Sequence, residues 1–578
     1  MKLALSVVLL VACSLQCLAQ SSQRPPNIVV VMSDDQGIGD FGCAGNLVLD
    51  TPRLDAFSAQ CPKLSRFYVS PVCSPTRASL MTGRYNYRTR VVDTWIGRSM
   101  MEPDEVTIAE LLRDSGYRTG IFGKWHLGDC YPMRPQDQGF DVSLVHRGGG
   151  IAQPSEPPAN RRRYTDPILF QNGEQVATKG YCTDVYFDAA LGFIDAAIDK
   201  GRPFFTYIAT NAPHGPFHDV PEDLLEKYRA RDLGSVAIGR RPNIDRIARV
   251  FAMVENIDQN FGRLMDHLDA REVTEDTIVV FLCDNGPIAG RYVDGLRGSK
   301  TSVYEGGIRS PLWIRWPGKL SPDVRSDRIA AHIDVLPTLC EMAKVPLPTN
   351  RVIDGRSLLP LLAGEPGQWA DRYLVLQTHR GDVPVAEHHF AVVGQQYKLL
   401  RHSGFGRVHP EAGTPFGLFD LTEDPGEAID IAAEHPLEVA RMRQFYRDWF
   451  DDVSSTRGDN YAKPRIHVGT AMESRTTLTR QDWVPADGVG WGHEGVWLLH
   501  APRACELRVT LAFRGDQVVE GFRLEAGSLL VERRLEVAKG ARVELGTFEF
   551  PAGDLDLRIT CDHGDGPFAP HQVVLELR

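Results

Sequence analysis

The chain has little of what would place it in several large protein classes. Its eleven cysteines in 578 residues form no CxxC pair and no metal-knuckle spacing, which excludes a disulfide scaffold and a zinc ribbon. Past the first twenty residues no apolar run approaches the roughly 20 residues of a transmembrane helix. Positive charge is not in surplus: the formal net charge of −11 argues against nucleic acid as a partner and against broad steering of anionic ligands, so an anionic substrate must be captured by local cations. Internal repeats and low-complexity tracts are also missing. The rest, with 43% hydrophobic and 24% charged residues, is ordinary globular composition with core enough for two to four domains.

The first twenty residues, MKLALSVVLLVACSLQCLAQ, carry a lysine, an apolar run and small residues before a cut after Ala19. They read as a signal peptide over 1–19 and predict export to a periplasm or beyond the cell. Leu10-Val11-Ala12-Cys13 also matches a lipobox, which would leave Cys13 lipidated and the protein tethered; soluble export is the preferred reading. Loss of this segment leaves nine scattered cysteines, of which Cys505 and Cys561 fall in the C-terminal part as a candidate pair.

Short runs of β-branched and aromatic residues at 27–32 (NIVVVM), 118–122 (RTGIF), 203–210 (PFFTYIAT) and 277–283 (TIVVFLC) read as strands buried on both faces. Helical patterns lie between them, including 107–113, where Thr107 and Glu110 form a capping box and Gly116 stops the helix. This alternation predicts an α/β domain over 24–345 with a mostly parallel sheet flanked by helices, its ligands gathering beyond the carboxyl ends of the strands. Short strands at 397–400 and 417–421 and a helix at 436–450 predict a small α+β subdomain over 346–455. From 466 to 578 apolar and polar residues alternate, at 506–513, 542–550, 555–560 and 572–577, as in a β-sandwich. We expect this to be an accessory domain that buries its own core and supports substrate binding without supplying chemistry. Trp483, Trp491 and Trp497 near its start suit sugar stacking, but a place in the core or a domain interface for at least two of them is the better reading.

Strand 27–32 runs into Asp34 and Asp35, just before a stretch containing G-x-G-x-x-G. Two carboxylates ahead of a glycine loop would repel a pyrophosphate, so a dinucleotide reading is poor; helix capping and metal binding remain. Strand 277–283 likewise ends in Asp284-Asn285. Three carboxylates and an amide carbonyl make an oxygen-only set suited to Ca²⁺ and, less well, Mg²⁺, whereas zinc would recruit histidine or thiolate. Two other strand ends lead to Lys124 and His126 in GKWHLG and to His214 in APHGP, and Lys300 lies in RGSKT. Each alone reads as structural or solvated; their recurrence beyond buried strands favours a site.

Cys73 begins VCSPTRASLMTGR. A phosphatase-type cysteine loop needs five residues between Cys and Arg, and here three intervene. Pro75 suits an early helical position, and Arg77 lies one turn after Cys73. The segment resembles the maturation signature of type I sulfatases, in which the cysteine becomes Cα-formylglycine. DDQGIGDFG, TPRLD (51–55), GKWHLG, APHGP, the DNG and GSK segments, EGGIRSP and DPGE (424–427) follow in that family's order. Two departures, Ile38 in place of a frequent aromatic and Cys283 in place of a small hydroxyl residue, remove no functional side chain.

The resemblance implies an alkaline-phosphatase-like fold and a formylglycine-generating maturation enzyme as partner. It also implies a divalent cation, Ca²⁺ before Mg²⁺, on Asp34, Asp35, Asp284, Asn285 and residue 73. In the mechanism it implies, one hydroxyl of the aldehyde hydrate attacks sulfur and displaces the alcohol; the second then loses its proton, the hemiacetal collapses and sulfate departs. Arg77 would stabilise residue 73, and Lys124 and Lys300 would neutralise sulfate oxygens. His214 would protonate the leaving oxygen and His126 assist the collapse, two roles open to exchange. Export and the added β module favour a sulfated carbohydrate over a small aryl sulfate. The alternatives are a phosphonate monoester or phosphodiester hydrolase on the same scaffold, and a non-catalytic glycan-binding relative.

Overall fold

The computed structural model describes residues 24–288, 290–486, 491–492, 494–562 and 568–578, with the side chains of 514–517 and 535–540 left aside. The expected signal segment, with Cys13, lies outside the described residues. Among those described, no helix is long and apolar enough to cross a membrane.

An eight-stranded sheet organises the first two thirds: β1 Asn27–Ser33, β2 Arg118–Lys124, β3 Val142–His146, β4 Ile168–Gln171, β5 Glu174–Ala177, β6 Phe204–Ala209, β7 Thr277–Cys283 and β8 Leu312–Arg315, in the order β8-β7-β1-β6-β2-β3-β4-β5. Strands β7, β1, β6, β2 and β3 run parallel; β8 and β4 run against them, and β5 pairs antiparallel to β4 at the far edge. The two-residue period of β1 explains its place at the centre. Val29 and Val31 pack into one hydrophobic core with Phe187, Ile194, Phe251 and Val254. Ile28, Val30 and Met32 enter another with Ala78, Leu112, Leu336 and Leu339. A strand apolar on both faces needs helices on both sides, and α1 Cys73–Thr82, α2 Ile108–Asp114, α3 Cys182–Ile198 and α4 Ile244–Ala270 supply most of that cover. The capping box of α2 forms as predicted, Thr107 Oγ1 accepting from Glu110 N at 3.1 Å and Glu110 Oε2 from Thr107 N at 2.8 Å.

Next comes an antiparallel four-stranded sheet, β9 Leu374–Gln377, β10 Phe390–Val393, β11 Tyr397–Arg401 and β12 Gly417–Asp420. Helix α5, Pro436–Ser454, packs Met442 and Tyr446 against it. A buried ionic cluster joins this sheet to the larger part. Lys398 Nζ lies 2.9 Å from Glu305 and 2.8 Å from Glu427, so the EGGIRSP and DPGE segments meet there.

The C-terminal segment is all β, but its strands are longer than the sequence suggested. Two 22-residue strands, Cys505–Ala526 and Leu529–Phe550, form a hairpin bent at register shifts. The first half of Cys505–Ala526 also pairs with Gln572–Leu577 and its second half with Gly553–Asp562, so one hairpin serves two sub-sheets around a common core. This core is built mainly by the module itself, but it is shared. Met100, Cys130 and Met133 from the α/β part belong to it, and Tyr131 N donates to Glu473 at 2.9 Å. Trp483 and Trp497 are wholly buried; Trp491 stands edge-on to Trp95, with ring centroids 5.5 Å apart. Cys505 and Cys561 are both free thiols, so the candidate disulfide does not form.

Candidate active site

The ends of four parallel strands, β1, β2, β6 and β7, deliver the predicted residues to one buried place. After β1, Asp34 N donates to Ala212 O at 3.1 Å, and Asp35 adopts φ 63°. His126, just past β2, also has positive φ, 60°. Left-handed backbone at two non-glycine residues costs of order 1–3 kcal/mol each and persists where surrounding contacts impose it. Here Asp284 Oδ1 accepts from Asp35 N at 3.2 Å and Arg147 O from His126 N at 2.9 Å.

Helix α1 opens with Cys73 directly over these ends, and all ten of its residues are buried. One turn on, Arg77 ties the helix to three strand ends. Its Nη1 donates to Lys124 O at 2.9 Å, and its Nη2 to Asp284 Oδ2 at 2.9 Å and Asp34 Oδ2 at 3.3 Å. Lys124 Nζ pairs with Asp34, and Lys300 Nζ lies 2.5 Å from Asp35 Oδ1. Lys300 is therefore no solvated surface lysine. Three carboxylates and three cations balance, so a divalent cation would leave two excess positive charges to receive an anion.

The donor set fits such an ion. Asp34 Oδ1, Asp35 Oδ2 and Asn285 Oδ1 are buried without hydrogen-bond partners, a costly state for three acceptors unless another group completes them. One potential ligand atom each from Asp34, Cys73 and Asp284 lie within 4.8 Å of one another, as do those of Asp34, Asp35 and His214. Burial pushes the Asp34 carboxyl up, but Lys124 and Arg77 outweigh it and hold it low. Lys300 and His214 do the same for Asp35. Asp284, buried and beside Asp34, is pushed up to about 6.

Burial, and then nearby Lys124 or Lys300, holds both histidines below the ordinary imidazole range. His126 Nε2 is 2.8 Å from Thr94 O and its Nδ1 is 3.5 Å from Cys73 Sγ. A carbonyl only accepts, so Nε2 carries the proton and Nδ1 turns a lone pair toward residue 73. His214 Nδ1 lies 2.7 Å from Gly215 O, and its Nε2 lies 3.8 Å from Asp35 Oδ2, beyond hydrogen-bond reach. Burial raises the Cys73 thiol, so the unmodified side chain is no ready thiolate nucleophile.

A wall that the sequence reading missed packs on both imidazoles. A Cβ on Gly149 would come within 2.8 Å of His126, and one on Gly150 within 3.1 Å of His214. Glu156 shapes this loop by accepting from Arg147 N at 2.8 Å and Gly148 N at 3.2 Å. The glycine run at 148–150 was the only trace in the sequence.

The family model described as Sulfatase matches residues 26–345, and that of the N-sulphoglucosamine sulphohydrolase C-terminal region matches 298–444. The chain belongs to the sulfatase family. It is 32% identical to N-acetylgalactosamine-6-sulfatase of Canis lupus familiaris over 72% of this chain and 83% of that protein. Identity to human arylsulfatase A is 31%, over 71% and 83%. Among solved structures it is similar to Ps i-CgsB in complex with k-i-k-neocarrahexaose, with a TM-score of 0.65 and 25% identity over 76% of this chain and 95% of that one. Phosphonate monoester hydrolase of Agrobacterium radiobacter shares the fold at a TM-score of 0.51 and 20% identity, covering 74% of this chain and 95% of that one. This sulfatase is a hydrolase of sulfate esters with an alkaline-phosphatase-like architecture, and the phosphonate alternative is not favoured.

Proposed function

We propose that this sulfatase removes sulfate from a sulfated carbohydrate, with residue 73 matured to formylglycine by a generating enzyme and Ca²⁺ held by Asp34, Asp35, Asp284, Asn285 and residue 73. The observation that carries the reading is the trio of buried, unpartnered oxygens on Asp34, Asp35 and Asn285, with Asp34 and Asp284 grouped beside Cys73. Ca²⁺ tolerates such a set of loop-borne oxygens better than Mg²⁺, which demands near-octahedral geometry. When bound, the ion supplies Lewis-acid polarisation of the sulfate group and a template for it.

The side chains divide the remaining work. Arg77 fixes residue 73 relative to the strand ends, and Lys124 and Lys300 offset charge on sulfate oxygens. His214, once doubly protonated, donates to the departing alcohol; His126 withdraws a proton at residue 73 through Nδ1. Carbohydrate as substrate is supported by the two relatives whose names or bound ligands are saccharides, and by half-buried Trp95, Trp491 and Arg380 grouped beside Thr94. Domains over 24–345, 346–455 and 466–578 and export through the segment 1–19, with anchoring through Cys13 as the alternative, complete the proposal. Desulfation of a panel of defined sulfated saccharides tests it: turnover of one or more at a rate above that of an aryl sulfate is expected, and turnover of aryl sulfate alone would refute the carbohydrate assignment.

A further inference from the structure

His126 owes its orientation to a carbonyl that the C-terminal module holds in place. Thr94 O takes two donors, His126 Nε2 at 2.8 Å and Gln481 Nε2 at 2.9 Å. Gln481 is 1% exposed and is itself fixed: its carbonyl accepts from Gly97 N at 2.9 Å, its N donates to Thr479 Oγ1 at 3.2 Å, and its Nε2 also approaches Ser99 Oγ at 3.4 Å. On the other side, Thr94 N donates to Asp93 Oδ1 at 2.7 Å, and Arg380 Nη1 donates to the same oxygen at 2.6 Å. The Thr94 segment is thus gripped by the α+β subdomain through Arg380 and by the β module through Gln481.

We propose that Gln481 is a positioning residue for His126, fixing through the Thr94 carbonyl which ring nitrogen bears the proton. A neutral imidazole has one N–H, and the acceptor opposite one nitrogen decides which nitrogen carries it. Thr94 O can accept from Nε2 only while it faces the ring; Gln481 supplies the donor that keeps it there and satisfies its second lone pair. If the carbonyl turns away, the ring loses its reason to protonate Nε2, and the Nδ1 lone pair no longer reliably faces residue 73. The active site is incomplete without the C-terminal module, although no side chain of that module need touch the reacting atoms. This inference rests on the reading of His126 as the base at residue 73.

The test uses full-length protein with ¹⁵N-labelled histidine, prepared with Cys73 unmodified and also as the matured enzyme. Imidazole ¹H–¹⁵N correlations are assigned by comparison with His126→Ala. In the wild type His126 is expected as a single tautomer with a slowly exchanging Nε2 proton, in both preparations. Gln481→Met, of similar length but without a donor, is expected to give a mixture of tautomers and faster exchange. In matured protein it is expected to lower kcat about tenfold, a fraction of what a general base contributes, with KM unchanged. Gln481→Leu, which also removes the N–H donor and cannot ionise, should act alike and covers the case in which the Met variant fails to fold. Leu557→Ala, in the core of the same module, should lower Tm and leave the tautomer alone. A single Nε2-protonated tautomer with wild-type kcat in a folded Gln481 variant would overturn the inference. Wild-type kcat in His126→Ala would instead remove the base reading, and the tautomer measurement separates the two failures.

Discussion

Arg77 Nη2 donates to Asp284 Oδ2 over 2.9 Å, joining the helix that begins at Cys73 to the strand end that offers Asp284 and Asn285. The same guanidinium reaches Asp34 and the Lys124 carbonyl, which a lysine, with one compact ammonium group, cannot reproduce. Arg77→Met leaves two buried carboxylates short of a partner and is expected to destabilise the fold by about 3–5 kcal/mol, with Arg77→Lys intermediate. Urea unfolding measures this. A midpoint for Arg77→Met equal to the wild type would show that the guanidinium does not hold the strand ends together.

Asp284→Ala removes one metal-type carboxylate and the acceptor for Asp35 N. Hydrolysis is expected to fall at least about a hundredfold, the equivalent of losing several kcal/mol of Lewis-acid stabilisation. Metal content by elemental analysis should fall with it while circular dichroism is unchanged. Full metal occupancy together with unchanged turnover would remove Asp284 from the site.

Glu156 gives a pH signature away from the metal ligands. Burial raises its carboxyl from an ordinary 4.5 to about 7, so the folded chain binds this proton more tightly than the unfolded one. Stability from this group is fully present below pH 4.5 and is lost as pH rises to about 7, a change on the order of 3 kcal/mol. Glu156→Gln keeps an acceptor for Arg147 N and Gly148 N but does not titrate. Its Tm relative to wild type is therefore expected to climb between pH 5 and pH 8; a constant difference across that range would contradict the shift.

Truncation after Lys463 distinguishes an appended module from an integral one. The sequence suggested an independent sandwich, whose removal would leave kcat on an aryl sulfate nearly normal. Met100, Cys130 and Met133 in the module's core and the Gln481 contact to Thr94 reverse that expectation. The truncated chain should show a lower Tm and lost turnover on aryl sulfate and glycan alike. A stable truncated enzyme with near-normal kcat on the aryl ester would restore the independent-module view.

The parts legible in the sequence were those carried by local pattern. The apolar run of β1 demanded cover on both faces, and the Thr107–Glu110 box forms as predicted. Asp34, Asp35, Lys124, His126, His214, Asp284 and Asn285 were found because each ends or follows a buried strand, and parallel strands bring such ends together. Gln481 was invisible: it lies in the turn between two short strands, and its meaning arises only from a contact across 387 residues. Strand length in the C-terminal hairpin was underestimated because register shifts interrupt the alternation that marks a strand. Cys505 and Cys561 share a domain, but nearness in sequence says nothing about whether two thiols meet.

If residue 73 acts as an aldehyde made from cysteine, mass spectrometry of the peptide spanning Cys73, taken from active enzyme, will show it. This residue is expected to carry formylglycine, with specific activity across preparations following the converted fraction. A wholly intact thiol at position 73 in fully active enzyme would contradict it.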